Sequence, residues 1–386
     1  MNRIPELERL KNMPHPDVPQ ITFAGHVHAG LNLLRHRYLQ RVKRYKGNAT
    51  TICEHIISGV WNKKFYYTSL GHYKYFWVRD FGTVAESLMK LGHEERVHKT
   101  IRWAIHHYRR SEKVTLCIDY LGQVFNAPEQ SIDALPWLLH AIVVSGYSLS
   151  DRERVFLEVQ LLEYKETFLT EDGMLHSGHY AELRDAVLYH KSAYAVAMIA
   201  RMARCVHHLH LAGFPFPAAQ YKDLLLKKYW NGHYFSGDAE TDAFSAECAL
   251  FPFVLDIFDD HGMATKTFDY INKERLNIPY PLHYTNKPLS FHYRWWAVSP
   301  LIMPNYAGTT IWTWHGVFYL QLLKKYNREE YASEYAKITD MIERFGTFPE
   351  LLYPDGSWYK TPAYKGDEAM IWCAIYLALN VDQSTT

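Results

Sequence analysis

The chain has 386 residues, 48% of them hydrophobic, so it can bury a large core and a globally disordered protein is excluded. Its 42 basic and 41 acidic residues give a net charge of +1, and charge therefore gives no reason to expect nucleic acid or an anionic membrane as a partner. With no signal-like N-terminus, no membrane-length apolar segment and five scattered cysteines without a CxxC pair, the expectation is a cytoplasmic protein with reduced thiols.

In chain order, residues 1–30 come first and contain four prolines, which favour an extended arm. Beyond this arm, apolar residues recur at helical spacing, and no convincing alternating run predicts a strand. Helices are predicted at 31–45, 48–60, 81–91, 94–111, 130–146, 150–168, 187–211, 216–229, 243–258, 262–273, 309–325, 328–345 and 367–381.

Several helix ends carry recognisable signals. Gly92 and Gly146 follow apolar runs and could be C-caps, while Ser150 and Glu153 form a capping box. About a dozen helices joined by short loops fit six hairpins, so the predicted fold is all-α, an (α/α)6 barrel formed by residues 31–386 as a single catalytic domain. An elongated helical repeat is the competing architecture, but no fixed sequence period supports it.

The aromatic content is unusual, at 15% with 11 Trp and 29 Tyr. Aromatic rings stack on the apolar faces of sugars, and the polar edges of Tyr and Trp bond sugar hydroxyls. A large aromatic core would have the same composition, so this feature supports carbohydrate binding only together with a suitable site.

Glycosidic cleavage usually requires two carboxyl groups that flank one bond. We therefore searched aromatic or glycine-rich loops before helices, where an acid can point into a shared pocket. Four acids qualify: Asp80 in YFWVRDFG, Asp133 in SIDALPW, Glu182 in GHYAELRD and Glu350 in FPELLYPDG. Each could instead cap a helix or lie on the surface, and Asp80 in particular could be an N-cap.

The surroundings of Glu350 are the most distinctive. Residues 354–356, Pro-Asp-Gly, predict a turn, and the apolar Phe348 and Leu351 beside Glu350 could tune its acidity.

These segments resemble the six-hairpin glycosidases, a group that includes bacterial glucoamylases, amylo-α-1,6-glucosidases and neutral invertases. Residues 77–80 (WVRD) resemble the WxRD segment of that group, and 180–182 (YAE) resemble its acid motif. Residues 307–314 (AGTTIWTW) are similar to its GT-[IV]-W-P-W stretch, and 348–351 (FPEL) to its second carboxylate segment. The matches occur in family order across roughly residues 65–381.

The resemblance implies that Glu182 is the general acid and Glu350 the general base of an inverting hydrolase for an α-glucoside or related oligosaccharide. We expect no cofactor and no metal. The predicted substrate-binding residues are Trp77, Arg79, Asp80, Asp133, Tyr180, Trp312, Trp314 and His315.

The sequence departs from the family pattern at three places. Tyr180 replaces a tryptophan, Thr313 replaces a proline, and no β-sandwich domain precedes the predicted barrel. Asp133 is a rival acid, because neutral invertases carry a comparable ID-x-x-x-W segment. In that case the substrate would be a β-fructofuranoside such as sucrose.

Two other classes of protein remain open. A sugar epimerase of the N-acylglucosamine 2-epimerase type is also a helical toroid and uses histidines as acids and bases. Its candidates here are His72, His176, His179 and His315, each of which could also be a structural or surface histidine. A non-catalytic carbohydrate-binding protein is the other alternative. HExxH, nucleotide-binding glycine and GxSxG motifs are missing from the sequence, so other hydrolase and kinase classes have no specific support.

Overall fold

The computed structural model describes residues 34–40, 43–126, 130–176, 180–184, 191–238, 242–288 and 303–381. The predicted arm, residues 1–30, lies outside them. The helices are α1 (Ala49–Val60), α2 (Val78–Lys90), α3 (Glu94–Arg110), α4 (Ala134–Ser145), α5 (Asp151–Phe168), α6 (Ala193–Leu209), α7 (Ala218–Lys228), α8 (Ala246–Val254), α9 (His261–Lys273), α10 (Thr313–Lys325), α11 (Tyr331–Phe345) and α12 (Cys373–Ala378). The strands, two residues each, are β1 (Phe76–Trp77), β2 (Cys117–Ile118), β3 (Val124–Phe125), β4 (Ile311–Trp312) and β5 (Leu351–Leu352).

Most predicted helices are confirmed to within a few residues, and the larger differences have local causes. In the predicted helix 31–45, helical structure covers residues 34–38 of the described part. The predicted helix 367–381 begins only at Cys373, because the residues before it leave the helical path to bond the segment around Glu350. The short strands were not predicted, since two residues are too few to show alternation.

Two predicted helix ends are confirmed, and one possible N-cap is not. Ser150 and Glu153 form the predicted capping box, and Gly146 is a C-cap with a φ of 64°. Asp80 is not an N-cap: that position belongs to Trp77, and Asp80 lies in the first turn of α2. The Asp80 carboxylate is therefore available for a tertiary contact.

Alternate helices contact one another in a continuous sequence. Helix α2 contacts α4, α4 contacts α6, α6 contacts α8, α8 contacts α10, α10 contacts α12, and α12 contacts α2 again. The intervening helices lie on these: α1 contacts α11 and α12, α3 contacts α2 and α4, and α7 contacts α6. The fold is therefore helix-rich, and its helices form two sets. One set contacts one another in the continuous sequence, and the other packs against that first set.

Composition explains why the helices divide in this way. Helices α4, α6, α8 and α10 are apolar around most of their circumference and are buried along most of their length. Helix α3 instead carries one buried stripe opposite a charged face, as expected for a helix with one side in water.

The short strands stand at helix starts and place the polar residues that follow. β1 leads directly into α2 and pairs with β2, which pairs with β3. β4 leads into α10 and pairs antiparallel with β5, with Ile311 opposite Leu352 and Trp312 opposite Leu351. This last pairing fixes the backbone next to Glu350.

All five cysteines are buried and free of disulfides, as predicted. Within the described ranges, no helix has both the length and the apolar character that a membrane span needs.

Candidate active site

Glu350 is held by its main chain at the junction of two segments. Its carbonyl accepts from the backbone N–H of Thr313 at 3.2 Å, and its own N–H donates to the carbonyl of Asp367 at 2.9 Å. After Glu350, the Gly356 N–H donates to the Tyr353 carbonyl at 2.9 Å and closes the predicted turn. These bonds fix the backbone position from which the Glu350 side chain projects.

The Glu350 carboxyl is 1% exposed and is surrounded by hydrogen-bond donors. The Tyr364 hydroxyl lies 2.9 Å from Oε1 and 2.7 Å from Oε2. The Tyr306 hydroxyl donates to Oε1 at 3.0 Å, and the backbone N–H of Asp367 donates to Oε2 at 2.7 Å. Neither tyrosine was predicted, although both belong to the aromatic-rich loops.

Burial raises the pKa of Glu350 to about 8, and the nearby Asp367 carboxylate adds to the increase. Hydrogen bonds from Tyr364, Tyr306 and the Asp367 backbone act in the opposite direction but do not cancel these effects. A carboxyl with such a pKa can exchange a proton near neutral pH, as acid–base catalysis requires.

A second buried polar cluster lies behind Glu350 and centres on Asp367. Oδ2 of Asp367 accepts from the Ser69 hydroxyl at 2.6 Å and from the Tyr73 backbone at 2.9 Å. His72 and His36 lie 3.6 Å and 3.4 Å from its two carboxyl oxygens. Burial alone would raise the pKa of Asp367, but the two histidines and Ser69 hold it below its usual value. Asp367 is therefore ionised, and its negative charge raises the pKa of Glu350.

His36, His72 and Asp367 are donor types of a transition-metal site, and one donor atom from each lies within 4.8 Å of the others. Two observations favour a hydrogen-bonded cluster instead. Nδ1 of His36 lies 3.2 Å from Nδ1 of His72, and Nε2 of His36 lies 3.2 Å from Glu368. The ammonium of Lys365 lies 3.5 Å from the same Glu368 carboxylate and would oppose a further cation.

Glu182, the predicted acid, is 2% exposed and lies next to the N-terminal end of α6. The hydroxyl of Ser192, the N-cap residue of that helix, donates to Glu182 Oε2. The backbone of the preceding Ala181 forms a parallel bridge with Ser131, through which this segment reaches the Asp133 loop. Glu182 is thus a positioned internal carboxyl and not a surface charge.

Arg184 connects the Glu182 segment to the Glu350 pocket. Its Nε and Nη2 both donate to the carbonyl of Ala307, at 2.9 and 2.6 Å, and its guanidinium lies over the Tyr284 ring. Ala307 directly follows Tyr306, which donates to Glu350. Arg184 was not among the predicted site residues; its position two residues after a predicted catalytic acid was the available signal.

Asp133, the rival acid, forms a buried ion pair with Arg79. Nε of Arg79 donates to Oδ2 at 2.7 Å, and Nη2 donates to Oδ1 at 3.0 Å. The hydroxyls of Ser131 and Tyr194 also donate to Asp133, each at 2.6 Å. Both carboxylate oxygens of Asp133 are therefore engaged, and the ion pair ties the start of α2 to the start of α4.

The predicted tryptophans divide into two groups. Trp312 lies near Glu350: it donates to the Tyr306 carbonyl at 2.9 Å, and its ring meets the Tyr306 ring at 5.1 Å. Trp77 meets the ring of Tyr73, whose hydroxyl lies 3.3 Å from that of Tyr306. These two indoles are thus next to the tyrosines that surround Glu350.

Trp314 belongs to the other group. It stacks on Trp372 with ring centroids 4.7 Å apart, and the Trp372 indole donates to Asp80 at 2.9 Å. Asp80 thereby orients the ring of Trp372, which directly precedes α12 and was not among the predicted site residues.

The remaining predicted residues lie in different surroundings. Tyr180 is buried against the Phe168 ring of α5. Among the epimerase-type candidates, His176 is exposed, and His179 lies outside the described residues. His315 is buried, and burial together with the charge of Arg184 lowers its pKa to about 3, so it is neutral at physiological pH.

Some buried polar atoms around these aromatic residues have no hydrogen-bond partner within the described part of the chain. They are Nε1 of Trp77, Nε1 of Trp314 and both ring nitrogens of His315. Buried polar groups normally have partners, so these atoms are candidates for contacts with a bound molecule.

Comparison with solved structures places the chain among glycosidases in fold. It superposes on a structure titled a wild-type glycosidase with a TM-score of 0.62 and 16% identity, over 86% of this chain and 95% of that one. A glutamate-to-alanine variant titled as a complex with glucose matches with 15% identity, the same coverage and a TM-score of 0.62.

A third similar structure is a GH63 mannosylglycerate hydrolase from Thermus thermophilus, in complex with Tris and D-glycerate. It matches with a TM-score of 0.56 and 10% identity, over 86% of this chain and 99% of that chain. No protein-family model and no curated protein sequence matches this chain. The expected resemblance to glycosidases is therefore confirmed at the level of the fold.

Proposed function

We propose that the chain is a glycoside hydrolase, with Glu182 as general acid and Glu350 as general base. The observation that carries the proposal is the Glu350 site itself. Its carboxyl is fully buried, contacts the hydroxyls of Tyr306 and Tyr364, and has a pKa raised to about 8. Burying a carboxyl costs stability, and carboxyls with strongly raised pKa values are concentrated at sites of acid–base chemistry.

The proposed architecture is a six-hairpin (α/α)6 barrel. The succession of contacts from α2 through α4, α6, α8, α10 and α12 back to α2 supports an inner ring of six helices. In such a ring, the loops at one end surround a common pocket. The segments carrying Glu182, Ala307 and Glu350 are already linked through Arg184 and Tyr306, as expected if they form one end of the barrel.

The proposed reaction is hydrolysis with inversion. Glu182 would protonate the glycosidic oxygen while Glu350 accepts a proton from the attacking water, so the C–O bond to the leaving group breaks as the bond to water forms. The two carboxyl groups of inverting enzymes stand about 6.5–9.5 Å apart, which leaves room for that water.

An α-glucoside or a related small glycoside is the proposed substrate class. The glucose complex of one similar glycosidase and the hydrolase title of another support a sugar substrate. The indoles of Trp77 and Trp312 beside the tyrosines of Glu350 suit an apolar sugar face. A histidine-based epimerase is less well supported, because His315 is held neutral and His176 is exposed.

The test is a substrate panel of glucosides, mannosylglycerate and sucrose, followed by NMR detection of the anomer first released. We expect hydrolysis with inverted configuration, reduced by at least about a hundredfold in Glu182→Gln and in Glu350→Gln. Glu343→Gln, on the outer helix α11, is the matched control and should retain activity. Full turnover by either site variant, or interconversion of a free monosaccharide without hydrolysis, would overturn the proposal.

A further inference from the structure

A continuous chain of hydrogen-bonding contacts links Glu350 to Glu368. The Tyr364 hydroxyl contacts Glu350 at 2.7 Å and also lies 3.2 Å from Nε2 of His72. Nδ1 of His72 lies 3.2 Å from Nδ1 of His36, and Nε2 of His36 lies 3.2 Å from Glu368. Every group between the two glutamates can both accept and donate a proton.

The hydrogen-bond partners determine how many protons the contacts between Glu350 and Glu368 require. Nε2 of His36 faces two acceptors, Glu368 and Asp367, so it carries a hydrogen. In a neutral His36, Nδ1 then accepts from Nδ1–H of His72, which leaves Nε2 of a neutral His72 to accept from Tyr364. Tyr364 has a single proton, so its contact with Glu350 is complete only if Glu350 is protonated.

The same chain has a second complete arrangement with an equal number of protons. If His36 carries a proton on both nitrogens, Nδ1 of His72 accepts from it, Nε2–H of His72 donates to Tyr364, and Tyr364 donates to an ionised Glu350. The positive charge on His36 then lies beside the carboxylates of Asp367 and Glu368. Each arrangement completes every hydrogen bond of the chain from Glu350 to Glu368, and they differ only in which end of the chain holds the extra proton.

We infer that Tyr364, His72 and His36 form a proton relay that converts Glu350 between its protonated and ionised forms without exchange with solvent. Three protons each move by one hydrogen bond: from Glu350 to the Tyr364 oxygen, from Tyr364 to Nε2 of His72, and from Nδ1 of His72 to Nδ1 of His36. No bond between heavy atoms forms or breaks. The inference rests on the proposed function, in which Glu350 is a base.

The surroundings of the chain favour this behaviour. Burial lowers the pKa of His72 to about 4, outweighing the effect of Asp367, so His72 is neutral at physiological pH and can pass a proton on. Gly71 allows the Asp367 carboxylate to lie close to the backbone at position 71, because a Cβ there would lie 1.6 Å from Oδ1 of Asp367. The other titratable or charged groups facing the chain are Asp367, Glu368, Lys365, Tyr73 and Tyr306.

A relay has a distinctive consequence for the pH dependence of hydrolysis. Without it, activity below the pKa of the base falls by about tenfold per pH unit, because only the ionised fraction reacts. With it, the ionised form of Glu350 persists below that pKa at the expense of a charged His36, and the proton count does not change. The activity of the wild-type protein should therefore level off on the acid side.

The experiment measures kcat/KM against pH with α-D-glucosyl fluoride, whose leaving group does not depend on a general acid. We compare the full chain with His36→Gln, His72→Gln and the double variant, and use His140→Gln as a control. His140 is another buried histidine, on α4, and it accepts from Arg201. Thermal unfolding of every variant reports any loss of stability.

We expect a lower plateau on the acid side for the wild type and for His140→Gln. His36→Gln and His72→Gln should lose this plateau, with activity about tenfold or more below wild type under mildly acidic conditions and similar to it under alkaline conditions. The double variant should match the single variants, because breaking one chain twice has no further effect.

Two outcomes would overturn the relay while leaving the proposed function intact. One is wild-type pH dependence in a folded His36→Gln protein, and the other is a uniform loss of activity at all pH values in both single variants. If the wild-type protein does not hydrolyse the fluoride or any glycoside of the panel, the proposed function itself fails.

Discussion

Arg184 donates two hydrogen bonds to the single carbonyl oxygen of Ala307, through Nε at 2.9 Å and Nη2 at 2.6 Å. This contact joins the segment of the proposed acid to the segment whose Tyr306 holds the proposed base. Because a guanidinium presents two parallel donors and an ammonium does not, lysine cannot reproduce the contact.

Arg184→Lys should therefore lower kcat/KM by about tenfold to a hundredfold through misplacement of the two segments. Arg154→Lys is the matched control, since Arg154 also donates to a backbone carbonyl, that of Leu209 at 2.7 Å, but lies on α5. Glycoside hydrolysis and thermal unfolding would be measured for both. Equal activities of the two variants would show that the Arg184 contact does not position the site.

The buried ion pair of Arg79 and Asp133 predicts a large effect on stability. Asp133→Asn leaves the guanidinium without its charged partner and should lower the free energy of unfolding by about 3 kcal/mol or more. Denaturant titration measures this loss, with Asp340→Asn on α11 as a control for the removal of a partly exposed carboxylate. A fully stable Asp133→Asn protein without hydrolytic activity would instead identify Asp133 as the acid.

The electrostatic effect of Asp367 on Glu350 predicts a pH shift. If Glu350 is the base, kcat/KM should rise towards its alkaline maximum as pH passes through about 8, where Glu350 loses its proton. Asp367→Asn removes the carboxylate charge but keeps the backbone N–H, so the rise should move to lower pH. Activity that decreases as pH rises through this range would assign Glu350 the role of acid.

The raised pKa of Glu350 also predicts a dependence of stability on pH. In the unfolded chain its pKa is near 4.5 and in the folded protein about 8, so the folded state binds more protons between these values. The contribution of Glu350 to stability is present below the unfolded pKa and is lost as pH rises through the folded pKa. It amounts to several kcal/mol, since each pKa unit corresponds to about 1.4 kcal/mol.

Glu350→Gln removes this titration and should gain stability relative to wild type as pH increases from mildly acidic to alkaline. Denaturant unfolding at a series of pH values would measure the difference, and a difference that stays constant would contradict the raised pKa.

The sequence was sufficient to predict the helices and their order because their burial follows from periodicity. It also identified Glu350 and Glu182 as internal acids, through loop context and resemblance to a family. It could not identify His72 or His36 as neighbours of the Glu350 site, because the contact of Tyr364 with His72 that brings them there joins residues 292 positions apart. For Arg79, the sequence motif was recognised, but its ion pair with Asp133 could not be predicted because it depends on how the two segments pack in the folded protein.

The return of α12 to α2 has a consequence for how the protein is made. Helix α12 follows the other helices of the described residues in sequence, yet it contacts α1 and α2, and the Trp372 that precedes it bonds Asp80. A nascent chain in which α12 is still inside the ribosomal exit tunnel lacks these contacts, whatever has already folded. The proposed hydrolytic activity should therefore arise only after α12 has left the tunnel and has packed against α1 and α2.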